Sequence, residues 1–194
     1  MKRYIIYLSL ITLFVMLSGC SSKPCLELIN SSVDVVNEKG KIGSIIITEG
    51  DKKGQELVPT ALYYEFTIKN AGHKDIGSLE KDKGLYIKIA PNTRLETISN
   101  EIVGFNVFNP SAYVNSGVGY GDSFTPILKA GTEGKYVLYY ELGVNEKGPQ
   151  AALLVPPAEK LKELKDEAFD ATLILMSGDN EIARFDLNST STDL

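Results

Sequence analysis

Cys20 is the residue for which the sequence most clearly indicates a chemical role, because a basic start and an uncharged apolar stretch precede it. Lys2 and Arg3 open the chain, and residues 5–17 carry no charge. A short basic region followed by an apolar one is typical of a secretory signal peptide. Thirteen such residues in a helix would span ~20 Å, less than the ~30 Å hydrocarbon core, which disfavours a permanent membrane-spanning helix.

The run Leu17-Ser18-Gly19-Cys20 resembles the lipobox of bacterial lipoproteins, in which a leucine and two small residues precede the modified cysteine. The resemblance implies that residues 1–19 are a signal peptide, cleaved between Gly19 and Cys20, and that the Cys20 thiol takes a diacylglyceryl group. Two acyl chains give stable anchoring. The expected location is therefore the extracytoplasmic face of the cell membrane, with the lipid anchor as the contact to the membrane.

Charge predicts how such an anchored domain would sit. Without residues 1–19 the chain would keep 18 basic and 25 acidic side chains, a net charge of −7. Repulsion from anionic lipids would hold an acidic body away from the bilayer. Polar composition predicts that residues 20–32 form the lipidated N-terminus and a tether, and that residues 33–194 form one domain. Cys25 is interpreted as a tether residue, the alternatives being a reactive thiol or a pairing with another chain.

Metal and cofactor chemistry finds little support in the sequence. His73 is the only histidine, and the carboxylate pairs Glu49/Asp51 and Glu80/Asp82 sit near turns. Carboxylates near turns can bind Ca²⁺, but each pair has a lysine beside it and turns are commonly acidic. We therefore assign no metal site and no cofactor.

Two motifs suggest catalysis or phosphate binding but lack the residues that those activities need. Ser78 and Lys81 match a Ser-x-x-Lys spacing, yet the Ser-Asp-Asn of penicillin-recognising enzymes is missing. The Gly-rich residues 116–121 lack the Lys-Ser/Thr that completes a phosphate-binding loop. We therefore assign no catalytic residue.

The candidate binding loop comprises Tyr113, Asn115, Tyr120 and Asp122, which lie among or beside those glycines. Aromatic and polar side chains on loops of a rigid scaffold often bind sugars or proteins. The plainer interpretation is that Tyr113 and Tyr120 cover an edge of the core.

The elements that would position these residues are mainly strands. Apolar and polar residues alternate over residues 62–69, 85–89 and 135–142, which predicts half-buried strands. Weaker patterns predict strands at 33–36, 42–48, 102–108 and 124–128, and a hairpin of 171–176 with 182–187. After Pro156-Pro157, apolar residues at i, i+3, i+7 and i+8 from Leu161 predict one short amphipathic helix near the C-terminus.

These elements predict a mainly β fold, a single β-sandwich with one helix. The runs 63–72 and 128–140 hold a strand ending in Asn-Ala-Gly and a Leu-x-x-Gly turn before an aromatic strand. They resemble immunoglobulin-like domains of small Gram-positive lipoproteins. The chain has no Trp and no Cys beyond Cys25, so the resemblance implies a telokin-like sandwich rather than an antibody-type one. Such lipoproteins often have no assigned activity.

The expected function is a non-catalytic binding or interaction module at the cell envelope, with an envelope protein or a glycan as its partner. A nucleic-acid partner is disfavoured, because the chain has no polybasic block. The alternatives are an accessory structural envelope protein without a ligand, and a hydrolase with an unrecognised site around Ser78 or the Glu80 and Asp82 pair.

Overall fold

The computed structural model describes residues 24–80, 83–148 and 150–190. The predicted signal peptide and lipid site, including Gly19 and Cys20, lie outside these residues, as do Lys81 and Asp82.

Two antiparallel sheets form the body of the molecule. The larger sheet has the order β1-β4-β9-β7, and its strands are β1 Leu26–Val36, β4 Thr60–Asn70, β9 Glu133–Gly143 and β7 Tyr120–Ser123. The smaller sheet has the order β11-β10-β6, and its strands are β6 Leu85–Pro91, β10 Ala171–Ser177 and β11 Asn180–Asp186. Two short pairs complete the set: β2 Ile45–Ile46 with β3 Glu56–Leu57, and β5 Ile76–Gly77 with β8 Ile127–Leu128. The predicted mainly β fold is therefore confirmed.

One hydrophobic core joins the two sheets. Alternate side chains of four strands point into it: Leu62, Tyr64, Phe66 and Ile68 of β4; Tyr136, Leu138, Tyr140 and Leu142 of β9; Leu85, Ile87 and Ile89 of β6; and Leu173 and Leu175 of β10. Burying each such side chain contributes ~1.5–3 kcal/mol to folding. The alternation that predicted these strands is thus the pattern that holds the two sheets face to face.

Three α-helices accompany the strands in the part of the chain that the structure describes: α1 Lys39–Ile42, α2 Thr93–Val103 and α3 Ala158–Asp166. The predicted helix near the C-terminus is confirmed as α3, and Leu164 is its buried residue. Helix α2 was not predicted.

The strand predicted at 102–108 is wrong, because α2 occupies the first part of that range. The Asn92 side chain caps the helix by accepting a hydrogen bond from the Leu95 N–H, and Gly104 ends it in the left-handed conformation. Buried Leu95 and Val103 lie two turns apart on one face. Packing of that face against the core, together with both caps, makes this segment helical.

The predicted tether is too long, because β1 already begins at Leu26. The register of β1 against β4 shifts between Leu28 and Asn30, a bulge at Ile29. A bulge inserts one residue and moves the following side chains to the other face. The alternation in the sequence is interrupted there, which is why only residues 33–36 were predicted as a strand.

The two ends of the larger sheet are defined by its strand pairing. We call the end where β1 begins the N-terminal end; there Leu26 pairs with Asn70. At the opposite end Val36 pairs with Ala61, and Thr60 pairs with Gly143.

Buried Asn70 organises the N-terminal end. Its side-chain amide donates hydrogen bonds to the carbonyls of Lys74 and Leu128, and its side-chain oxygen accepts one from the Gly72 N–H at 3.0 Å. The next backbone N–H, that of Ala71, donates to the Cys25 carbonyl at 2.8 Å. The start of the described chain is therefore fixed to this end. Cys25 itself is exposed, with no disulfide partner among the described residues.

Candidate functional site

The structure separates the four residues of the predicted binding loop. Tyr113 closes the short 3-10 helix Pro110–Tyr113 and is only 7% exposed. Its ring meets the Phe105 ring edge-on, with centroids 5.0 Å apart, and lies 5.6 Å from the Tyr120 ring. The expectation that Tyr113 belongs to an exposed binding surface is wrong, because its ring is part of the core edge.

The other three residues are exposed. Tyr120 is 48% exposed at the start of the edge strand β7, and Asp122 lies two residues further along it. Asn115 has a positive φ of 64° at the tip of the preceding loop. Its neighbour Val114, which sequence reasoning missed, is 72% exposed. We call Val114, Asn115, Tyr120 and Asp122 the Tyr120 loop surface.

Glu141 holds this loop surface in place from β9. Its carboxylate accepts a hydrogen bond from the Gly119 N–H at 2.6 Å, and its own N–H donates to the Gly119 carbonyl at 2.9 Å. Burial raises the pKa of the Glu141 carboxyl, and the hydrogen bond from Gly119 opposes that shift. The carboxylate is therefore a buried, fixed acceptor for the loop.

Two of the three glycines in this segment, Gly117 and Gly121, lie very close to neighbouring groups. A Cβ on Gly117 would overlap the carbonyl oxygen of Gln150, and a Cβ on Gly121 would overlap the ring of Tyr139. The Tyr139 ring in turn stacks on Tyr63 with centroids 6.4 Å apart on the outer face of the larger sheet. The glycines at positions 117 and 121 thus reflect the close approach of neighbouring chain segments.

A cleft of about 630 Å³ lies at the N-terminal end of the sandwich. Three connections that follow or precede strands build it, and its lining residues are Ser78, Leu79, Glu80, Gly84, Leu85, Tyr86, Phe124, Pro126, Gly178 and Asp179. A neighbouring hollow shares Ser78, Gly178 and Asp179 with it, so the concave surface continues around the β10–β11 turn. This volume falls in the range of ~300–1,000 Å³ that is usual for ligand sites.

The cleft combines exposed apolar side chains with a rigid floor. Leu79 is 79% exposed and Phe124 is 42% exposed. The Tyr86 hydroxyl donates to the Gly178 carbonyl at 2.9 Å, which ties β6 to the β10–β11 turn. Gly77 has a φ of 88°, and a Cβ there would overlap the carbonyl oxygen of Pro126. The sequence signal for this site was a leucine alone in a charged loop, which periodicity does not detect.

The residues considered for catalysis in this region are engaged locally. The Ser78 hydroxyl oxygen accepts a hydrogen bond from the Glu80 N–H at 3.0 Å. The Glu80 carboxylate forms an ion pair with Lys83 at 2.6 Å. Glu49 and Asp51, the other carboxylate pair, are both exposed in a turn. Within the described ranges, no group of three His, Cys, Asp or Glu side chains is placed to hold a metal ion.

Comparison of the chain with protein-family models, with curated proteins and with solved structures found no match. Among the described residues, none of the helices is both long enough and apolar enough to span a bilayer.

Proposed function

We propose that the protein is a lipid-anchored, non-catalytic binding module of the cell envelope, held by a diacylglyceryl group on Cys20. In this proposal residues 1–19 are removed as a signal peptide, and the Tyr120 loop surface binds an envelope protein or a glycan.

The observation that carries the proposal is that the start of the described chain and the Tyr120 loop surface lie toward opposite ends of one rigid sheet. Leu26 pairs with Asn70, whereas Tyr120 pairs with Tyr140, which pairs with Leu62. Eight residues of β4 separate those two levels, a distance of ~26 Å at ~3.3 Å per residue. An anchor at Cys20 would therefore present the loop surface away from the membrane.

The chemistry of the loop surface suits a macromolecular partner. An exposed valine and tyrosine lie beside an amide and a carboxylate, and Glu141 fixes the loop that carries them. A tyrosine provides an apolar face together with a polar hydroxyl, which suits both sugar rings and protein surfaces. Fixing the loop before binding reduces the entropy lost on binding.

The strand order supports an immunoglobulin-like sandwich. In a constant-type immunoglobulin domain, the first, second, fifth and fourth strands form one sheet and the third, sixth and seventh form the other. Omitting the two short pairs, the seven strands of the two sheets follow the same order, as β1-β4-β9-β7 and β11-β10-β6. In such folds, loops at the ends of the sandwich are the usual binding surfaces.

The local engagement of Ser78 and Glu80 supports binding over hydrolysis. A serine nucleophile needs a base within hydrogen-bond reach. The Ser78 hydroxyl oxygen instead closes a turn on the Glu80 N–H, while the Glu80 carboxylate is paired with Lys83.

The anchoring is tested by membrane fractionation and mass spectrometry of the N-terminal peptide. The expected peptide starts at Cys20 and carries the mass of a diacylglyceryl group, and Cys20→Ser abolishes both the modification and the processing. An unmodified peptide beginning before Cys20 would overturn the anchoring.

The binding surface is tested with Tyr120→Ala and Val114→Ser in the lipidated protein. Binding to cross-linked envelope proteins and to purified cell-wall glycan should fall at least tenfold for both. Ile46→Ser, at an exposed apolar position of β2 outside this surface, is the matched control. Equal binding by all variants and the wild type would remove the Tyr120 loop surface as the binding site.

A further inference from the structure

We infer that the N-terminal end of the sandwich makes a second contact with the membrane, in which Leu79 and Phe124 enter the interfacial layer of the lipid surface. This inference rests on the proposed anchoring at Cys20, and it identifies the lipid surface as the partner of the cleft.

The first support is position. The Cys25 carbonyl accepts a hydrogen bond from the Ala71 N–H, and Leu26 pairs with Asn70. The Asn70 side chain donates to the Leu128 carbonyl at 3.1 Å. Leu128 belongs to the β5–β8 pair, and this pair leads directly into the cleft residues on both of its strands. The start of the described chain and the β5–β8 side of the cleft therefore belong to the same end of the molecule.

The second support is reach. Five residue steps separate Cys20 from Cys25 in the sequence. A fully extended chain covers at most ~3.6 Å per residue, so these two residues lie within ~18 Å of one another. A lipid on Cys20 would consequently keep the N-terminal end close to the headgroup layer.

The third support is the kind of side chain that this end exposes. Leu79 extends from the loop that follows β5, and Phe124 lies directly after β7, both on the rim of the cleft. Exposed leucine and phenylalanine on the membrane-facing side of a protein are typical of interfacial contacts. Neither side chain belongs to the core that joins the two sheets.

Charge does not oppose the approach of this end to the membrane. The chain as a whole has a net charge of −5, and an acidic surface is repelled by anionic lipids. The described loops bordering the cleft and the start of β1 instead carry three lysines and three carboxylates, namely Lys74, Lys83, Lys129, Asp75, Glu80 and Asp179. The charges at this end therefore balance and add no net repulsion from an anionic bilayer.

A tryptophan placed at the rim tests the inference directly, because the chain contains no Trp. The full-length lipidated protein carrying Leu79→Trp or Phe124→Trp is reconstituted into phosphatidylglycerol–phosphatidylethanolamine vesicles whose acyl chains are brominated. We expect a blue-shifted emission and at least a twofold quenching for both variants. Val114→Trp, on the Tyr120 loop surface, is the matched control and should show neither change.

Three results would overturn the inference. In the first, the protein co-sediments with vesicles while both rim tryptophans stay unquenched. This result leaves the anchoring intact and removes the second contact. In the second, Val114→Trp is quenched as strongly as the rim variants, which would mean that the domain lies flat on the bilayer. In the third, the rim tryptophans become shielded from acrylamide only when envelope protein is added, which would make a protein segment the occupant of the cleft.

Failure of the anchoring itself has a different signature. A protein that stays in the supernatant and whose N-terminal peptide lacks the diacylglyceryl mass overturns the proposed function, and the second contact falls with it.

Discussion

The Glu141 carboxylate and the Gly119 backbone form a reciprocal pair, in which each residue donates its N–H to an oxygen of the other. The two hydrogen bonds fasten the loop that carries Tyr120 to the strand β9. The carboxylate is also buried, and this burial raises the pKa of Glu141 above its ordinary value of 4.5, whereas the hydrogen bond from Gly119 opposes the shift.

This pair predicts a specific dependence of stability on pH. The folded state holds the Glu141 proton more tightly than the unfolded state does. The contribution of Glu141 to the free energy of unfolding is therefore complete below the unfolded pKa near 4.5. It is then lost as pH rises through the raised pKa. Chemical denaturation from pH 4 to 8 should show Glu141→Gln gaining stability relative to the wild type as pH increases. The control Glu65→Gln, exposed on β4, measures the effect of removing one surface charge; an equal slope for both variants would contradict the prediction.

The buried hydroxyl of Tyr113 predicts a substitution that stabilises the fold. Among the described residues this oxygen has no hydrogen-bond partner, and an unsatisfied buried hydroxyl costs ~1–3 kcal/mol. Tyr113→Phe should therefore raise the free energy of unfolding by about 1 kcal/mol. Tyr113→Ala should lower it by ~3–5 kcal/mol, because it leaves a cavity.

Tyr64→Phe provides the matched comparison for Tyr113→Phe. The Tyr64 hydroxyl is also buried, but it donates to the Ala168 carbonyl at 2.9 Å. Its removal should lower the free energy of unfolding by ~1 kcal/mol. Urea denaturation of the two variants should give changes of opposite sign, and a loss of stability in both would show that the Tyr113 hydroxyl is satisfied.

Two glycines with nearly the same φ angle are expected to differ in the free-energy cost of replacement by alanine. Gly117 and Gly131 have φ values of 74° and 72°. A Cβ on Gly117 would overlap the Gln150 carbonyl, whereas a Cβ on Gly131 meets open space. Gly131→Ala should cost ~1–2 kcal/mol for the left-handed conformation alone, and Gly117→Ala should cost at least ~1–3 kcal/mol more for the overlap. Equal losses in urea denaturation would contradict the close approach of residues 117 and 150.

The cap of α2 predicts how far that helix depends on one side chain. Asn92→Ala removes the acceptor for the Leu95 N–H and should lower the free energy of unfolding by ~1 kcal/mol. Asn100→Ala, at an exposed position inside the helix, should change it little, since alanine is the better helix former. A larger loss at Asn100 than at Asn92 would argue against the cap.

The sequence was informative wherever one face of a strand is buried. Strands β4, β6 and β9 were predicted because their alternate residues enter the common core. Helix α3 was predicted from the spacing of its apolar face and the two prolines before it.

Other elements depend on interactions that period alone does not show. Helix α2 places only a few residues against the core, and its start depends on the Asn92 cap. The first half of β1 was missed because the bulge at Ile29 reverses the alternation.

The candidate sites divide in the same way. Asn115, Tyr120 and Asp122 were proposed as site residues because aromatic and polar residues among glycines are conspicuous in a sequence, and the structure places all three at the surface. The burial of Tyr113 follows from its contact with Phe105, a residue that the strand predicted at 102–108 placed incorrectly. The cleft was missed because its walls come from three connections far apart in the chain.

The irregularity in β1 also bears on self-association. β1 is the outermost strand of the larger sheet, and its outer edge has no neighbouring strand among the residues described. A long, regular, unpaired edge invites another chain to add as a further strand. Here the bulge at Ile29 breaks the edge into two short pieces, and Asp34 forms an ion pair with Lys165 of α3 at 2.7 Å. These features make β1 a poor template for the addition of a strand from another chain.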